Sequence, residues 1–155
     1  MNAPANRALL ALALFIVLVV LGGMVIGYLT RPGDWYLTLN KPSFNPPGWV
    51  FGPVWTTLYV MIGAAGWRLW RAHRGSTAMK LWWVQLLLNY LWSPAFFGMH
   101  NPALALVVIV ALLAAIVATL AAAWPRDRAV ALLLAPYLAW VAFATLLNAT
   151  LVALN

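Results

Sequence analysis

The eleven charged residues of this 155-residue sequence gather between long uncharged runs, and that spacing constrains the fold more than any other feature. Between Arg7 and Arg31 lie 23 uncharged residues, between Lys41 and Arg68 lie 26, between Lys80 and Arg126 lie 45, and after Arg128 there are 27. A helix needs about 20 apolar residues to cross a bilayer core. The 45-residue stretch therefore holds two spans, broken at Gly98-Met99-His100-Asn101-Pro102, where Pro102 suits a first helical position. The pattern predicts an all-α integral membrane bundle, a single domain over 1–155. Its five transmembrane helices run at about 8–29, 50–70, 80–98, 103–124 and 129–153, with a lid loop at 30–49. The first run is about a full bilayer long and no A-x-A-like site clearly ends it, so it reads as a helix and not a signal peptide.

Composition excludes most alternatives. Only 7% of residues are charged and 66% are apolar, against about a quarter charged in soluble domains. No cysteine is present, which removes disulfides, thiolate nucleophiles and Cys-based zinc or iron–sulfur sites. Two His and two Asp leave little material for a metal centre, and none is expected. The net charge of +7 comes from residues flanking apolar runs, so no nucleic-acid partner is expected. With five spans, Arg7, Arg68, Arg71, Arg74, Lys80, Arg126 and Arg128 share one side, while only Arg31 and Lys41 face the other. The positive-inside rule then predicts a cytoplasmic amino terminus, with the carboxyl terminus and the 30–49 loop on the outer side.

The loop over 30–49 is too apolar for a solvated linker. Four prolines pre-set its backbone, and Trp35, Tyr36, Phe44 and Trp49 give it area to bury, as a lid over the bundle mouth would. An interfacial aromatic belt is the alternative for Trp35 and Trp49, and it is the preferred reading for Trp67, Trp70 and Trp124. In the third helix Trp82, Gln85, Asn89, Trp92 and Phe96 share one stripe, with Asn89 near the midplane. An amide at that depth needs a partner, either a neighbouring helix or a ligand. Tyr137, Trp140, Ala144 and Asn148 form a matching stripe in the fifth helix. In the second, Tyr59, Gly63, Gly66, Trp67 and Trp70 line one side, and the glycines admit a close backbone or a flat ligand. Tyr59, Asn89, Trp92 and Trp140 thus reach one level beneath Trp35 and Trp49, which describes an aromatic-walled pocket. Ala111, Ala114, Ala115, Ala118, Ala121 and Ala122 read as a small-residue packing surface, as do Gly23 and Gly27.

Three ordered blocks carry a resemblance. They are Trp35-Tyr36 with Lys41 to Tyr59 (KPSFNPPGWVFGPVWTTLY), Gln85 to Gly98 (QLLLNYLWSPAFFG), and Pro136 to Asn148 (PYLAWVAFATLLN). Together they resemble the tryptophan-rich sensory protein and mitochondrial translocator protein family, also called peripheral benzodiazepine receptors. The resemblance implies a five-helix bundle, often a homodimer, that binds porphyrins and benzodiazepine- or isoquinoline-type ligands in a pocket closed by the first loop. It implies ligand contacts from Trp49, Asn89, Trp92, Trp140 and Ala144, with Trp35 and Tyr36 in the lid. Eukaryotic relatives carry an aromatic and basic sterol-recognition segment after the last block. Here that segment is Ala149 to Asn155 without Tyr or Arg, so sterol binding there is not expected.

Two functions remain open at this level. One is a membrane receptor or sensor that holds a tetrapyrrole (porphyrin or haem) or another flat hydrophobic molecule, requires no cofactor, and regulates or transports porphyrins. The other is an enzyme that degrades porphyrin oxidatively or photochemically through a pocket Trp. Asp34 and Asp127, the only carboxylates, sit in loops on opposite sides, which argues against acid–base catalysis. His100 is read as an exposed turn residue, with haem-iron ligation as the alternative. No intramembrane acidic or basic residue offers a relay for a pump.

Overall fold

A computed structural model describes residues 3–155 along the backbone and side chains from Asn6 onward, so Met1 and Asn2 of the expected domain lie outside the described residues. Six α-helices follow in order: α1 (Ala3–Leu29), α2 (Asp34–Thr38), α3 (Gly48–His73), α4 (Thr77–Ser93), α5 (Pro102–Ala123) and α6 (Arg128–Leu154). The five long ones correspond to the five expected helices, with ends displaced by at most five residues. The expected loop 30–49 contains a helical segment, α2, at Asp34–Thr38. Among the described residues four helices, α1, α3, α5 and α6, are long and apolar enough to cross a membrane.

The ends follow local chemistry. Ser76 caps α4 by accepting from the Met79 N–H, Asn101 caps α5 by accepting from Leu104, and Asp127 caps α6 by accepting from Ala129. Pro102 takes the first position of α5 as expected. The expected 80–98 helix divides in two, because α4 gives way at Pro94 to a π-turn over Pro94–Gly98. Proline has no N–H for the i−4 carbonyl and its ring crowds it, so the last turn widens.

The helices pack in a closed order, with α3 between α1 and α6, α5 between α6 and α4, and α4 also meeting α3 and α1. Trp82 is fully buried and donates from Nε1 to the Ile62 carbonyl of α3 at 3.0 Å. Its ring lies where a Cβ on Gly66 would stand. A Cβ on Gly63 would come within 2.7 Å of the Ile16 Cα, so this glycine sets the closest approach of α1 to α3. The second-helix glycines thus admit a backbone and a core ring. On α5 the core side is Ala105, Ile109, Leu112, Ala115, Ile116, Thr119 and Ala123. Ala111, Ala114 and Ala121 of the expected packing surface are exposed, because they fall on the opposite face of the helix.

Opposite ends of the bundle differ. At one, Arg68 makes a paired contact with Asp127, Nε to Oδ2 at 3.0 Å and Nη2 to Oδ1 at 3.1 Å, joining α3 to the start of α6. Arg71, Arg74 and Arg128 lie over the rings of Trp67, Trp70 and Trp124 at 5.5, 4.2 and 5.5 Å. At the other end the 30–49 segment folds back over the helices.

Candidate functional site

The lid is held by aromatic rings and by amides. Trp35 of α2 stacks on His100 at 4.5 Å and meets Phe96 edge-on, while Tyr36 meets Phe96 and Phe97 edge-on. Both phenylalanines belong to the π-turn, whose extra residue brings consecutive rings toward the lid. His100, exposed as expected, has φ 51, a left-handed turn conformation uncommon for a side chain of its size. Further along the lid, the Asn155 side chain accepts from the Asn40 N–H at 2.9 Å and donates to the Asn40 carbonyl at 3.1 Å. Burial pushes the Tyr36 phenol up, with a hydrogen bond to Asn45 opposing it.

Beneath the lid lies a cavity of about 520 Å³, within the roughly 300 to 1,000 Å³ typical of small-molecule sites. Phe51, Trp55 and Tyr59 on α3, Asn89 and Trp92 on α4, and Trp140, Ala144 and Asn148 on α6 wall it, with Tyr36 above. Six of the eight expected site residues are therefore brought together: Tyr36, Tyr59, Asn89, Trp92, Trp140 and Ala144. Two are not. Trp35 packs behind the roof against Phe96 and His100, and Trp49 is 76% exposed at the first turn of α3, neither lining the cavity. Phe51, Trp55 and Asn148 line it without having been singled out as site residues. The signal for the first two was present, since positions 51, 55 and 59 repeat at one helical turn.

The polar groups of the wall are largely paired with one another. The Tyr59 hydroxyl donates to Asn89 Oδ1 at 3.1 Å, and Asn89 Nδ2 donates to the Tyr137 hydroxyl at 2.9 Å, tying α3, α4 and α6 together. Trp92 Nε1 donates to Asn148 Oδ1 at 3.0 Å, and Asn148 Nδ2 donates to the Pro102 carbonyl at 2.9 Å. Trp140 is different. Its Nε1 is buried and, among the described residues, has no hydrogen-bond partner, a state shared only with Trp67 Nε1 and Gln85 Oε1, neither of which lines the cavity. Among the described residues no group of three His, Asp or Glu side chains is placed to hold a metal ion.

An all-helical bundle with several membrane-length helices and an aromatic chamber under a proline-rich lid defines a class of multi-pass membrane protein with an internal cavity. The chain belongs to the TspO/MBR family, whose model matches residues 15–154. It is 43% identical to the tryptophan-rich protein TspO of Chlorobaculum tepidum over 97% of this chain and 99% of that protein. It is 40% identical to the tryptophan-rich sensory protein of Cereibacter sphaeroides over 83% of this chain and 82% of that one. With the translocator protein of Homo sapiens it shares 43% identity over 74% of this chain and 70% of that protein.

Proposed function

We propose that the protein is a membrane receptor that binds a flat, largely apolar tetrapyrrole, porphyrin or haem, in the aromatic cavity and needs no resident cofactor to do so. The observation that carries this reading is the Trp140 N–H, which among the described residues is the one buried side-chain polar group on the chamber wall without a hydrogen-bond partner. A buried donor without an acceptor costs about 1 to 3 kcal/mol, and a ligand bearing a carbonyl or carboxylate would relieve it. Stacking on Trp55, Trp92 and Trp140 supplies the remaining contact. Benzodiazepine- and isoquinoline-type molecules, flat and carbonyl-bearing, suit the same wall.

In this reading five helices span the bilayer. The fifth span is α4 continued by the π-turn, Thr77 to Gly98, 22 residues in all, or about 33 Å at helical rise. The arginine-rich end lies in the cytoplasm, and the lid and Asn155 lie on the outer side.

Titration of the purified protein with protoporphyrin IX tests the binding. Porphyrin should quench the tryptophan fluorescence, and Trp140→Phe, which keeps a ring and removes the donor, should weaken affinity by about 0.5 to 1.5 kcal/mol, roughly 2- to 12-fold. Equal affinity in wild type and variant would remove Trp140 from the site. A second reading, oxidative or photo-oxidative breakdown of porphyrin by oxygen, draws on the same cavity tryptophans. The receptor reading expects no sustained turnover in darkness, and many porphyrin molecules consumed per protein in the dark would reverse the preference.

A further inference from the structure

The cavity is roofed by the lid, yet some of its wall residues are exposed at its side. At Gly63 and Ile16 α1 and α3 are in backbone contact, and one turn farther toward the lid the Tyr59 ring fills the space beside Gly23. Beyond that level the two helices part. Gly27 on α1 and Gly52 on α3 both line the cavity, both are exposed, and a Cβ at either would meet nothing within 4 Å. Met24 and Thr56, also on the cavity wall, are likewise exposed. α1 is also held to α4 on either side of this stretch: the Tyr90 hydroxyl donates to the Val19 carbonyl at 2.9 Å, and just past the end of α1 the Thr30 hydroxyl lies 2.6 Å from that of Ser93. The lid, by contrast, is pinned by Trp35 on His100, Tyr36 on Phe96 and the Asn40–Asn155 amide pair.

We propose that the gap between α1 and α3 at Gly27 and Gly52 is a lateral portal through which the cavity takes up molecules dissolved in the bilayer, with the lid remaining shut. The proposal deepens the receptor reading and rests on it for the identity of the cargo. Its physical sense is that a flat apolar molecule partitions into lipid and reaches the aromatic wall without crossing water. Glycines keep the portal open because any side chain at those two positions would project into it.

The absence of native cysteine allows a test that requires no porphyrin. Ala144→Cys puts one thiol on the cavity wall, and the rate of its alkylation by N-pyrenylmaleimide, a membrane-soluble reagent, is measured in phosphatidylcholine vesicles. Adding Gly27→Leu and Gly52→Leu should slow alkylation by about tenfold or more, the mark of an added barrier of at least one decade, while Trp35→Ala leaves it unslowed. A thiol that fails to react, or that reacts equally fast with and without the leucines, overturns the portal. Intact helical content by circular dichroism and a single elution peak establish that the leucine variant is folded. In parallel, the leucines should slow both binding and release of protoporphyrin IX. Slowed alkylation without any porphyrin quenching in the wild type would retain the portal and refute the tetrapyrrole reading, so the two fail separately.

Discussion

At the scale of single residues, Asn89 decides how the middle of the bundle is held. Its carbonyl oxygen accepts from Tyr59 and its amide donates to Tyr137, so both ends of the side chain are engaged by neighbouring helices. Asn89→Leu strands two tyrosine hydroxyls at once, and the expected loss of stability is about 1 to 3 kcal/mol. Tyr59→Phe removes a single donor and should cost less. Thermal unfolding in detergent micelles, set beside porphyrin titration of the folded fraction, separates the two roles of Asn89: melting should fall more than affinity. A larger loss of affinity than of stability would return the amide to the ligand. The stripe through Trp82, Gln85, Asn89 and Phe96 was legible because period 3.6 places these residues on one face, and all four are buried. The bonding partners were not, since Asn89 and Tyr137 stand 48 positions apart and no local pattern encodes that meeting. Trp49 is the converse case. The sequence left this tryptophan between a ligand contact and an interfacial belt, and the helix that begins at Gly48 carries its ring 76% exposed and off the cavity wall.

At the scale of elements, the start of α6 combines two devices in one side chain. Asp127 caps the helix through Ala129 and pairs with Arg68 on α3. Burial pushes its carboxyl up, but the hydrogen bonds and charge of Arg68, with the backbone N–H groups of Ala129 and Val130, outweigh that and hold it below the usual value. A depressed folded-state value means that the pair stabilises above the unfolded carboxylate value, near 3.9, and that this contribution is lost as pH falls through the folded value. Arg68 is 42% exposed, so solvent screening limits the ion pair to about 0 to 1 kcal/mol. Asp127→Asn keeps a capping oxygen and should cost only that amount, with the deficit shrinking as pH falls below the unfolded carboxylate value and toward the folded one. Asp127→Ala also loses the cap and should cost roughly 1 kcal/mol more at every pH. Chemical denaturation at pH 7 and pH 3 reads both differences, and equal cost for Asn and Ala would mean that the cap contributes nothing. The five long helices were legible from the uncharged runs and from the Gly98 to Pro102 break that divides the longest of them. The π-turn at Pro94 and the lid helix α2 were not. The first is a local response to one missing N–H, and the second is a five-residue helix held by tertiary stacking of Trp35 and Tyr36.

At the scale of the whole molecule, the two ends of the bundle differ in charge, and that difference sets the expected direction of insertion. Arg68, Arg71, Arg74, Lys80, Arg126 and Arg128 lie at the end that carries the α3–α4 and α5–α6 connections, whereas Arg31 and Lys41 flank the lid. Lys and Arg near span ends are retained on the cytoplasmic side, so the lid should face outward. The architecture makes this testable with two small changes. Ser43 stands in the lid segment, and Ser76 caps α4 at the opposite end. In a chain without native cysteine, Ser43→Cys and Ser76→Cys each introduce one thiol. An odd number of spans between amino terminus and lid, and an even number between amino terminus and Ser76, requires the two thiols to react from opposite faces. A membrane-impermeant maleimide applied to intact cells should label the first and spare the second, and the pattern should invert in inside-out vesicles. Labelling of both thiols from one face would leave α3 unable to cross the membrane and would break the five-span topology, whereas opposite labelling with the faces exchanged would keep the topology and reverse only the orientation drawn from charge.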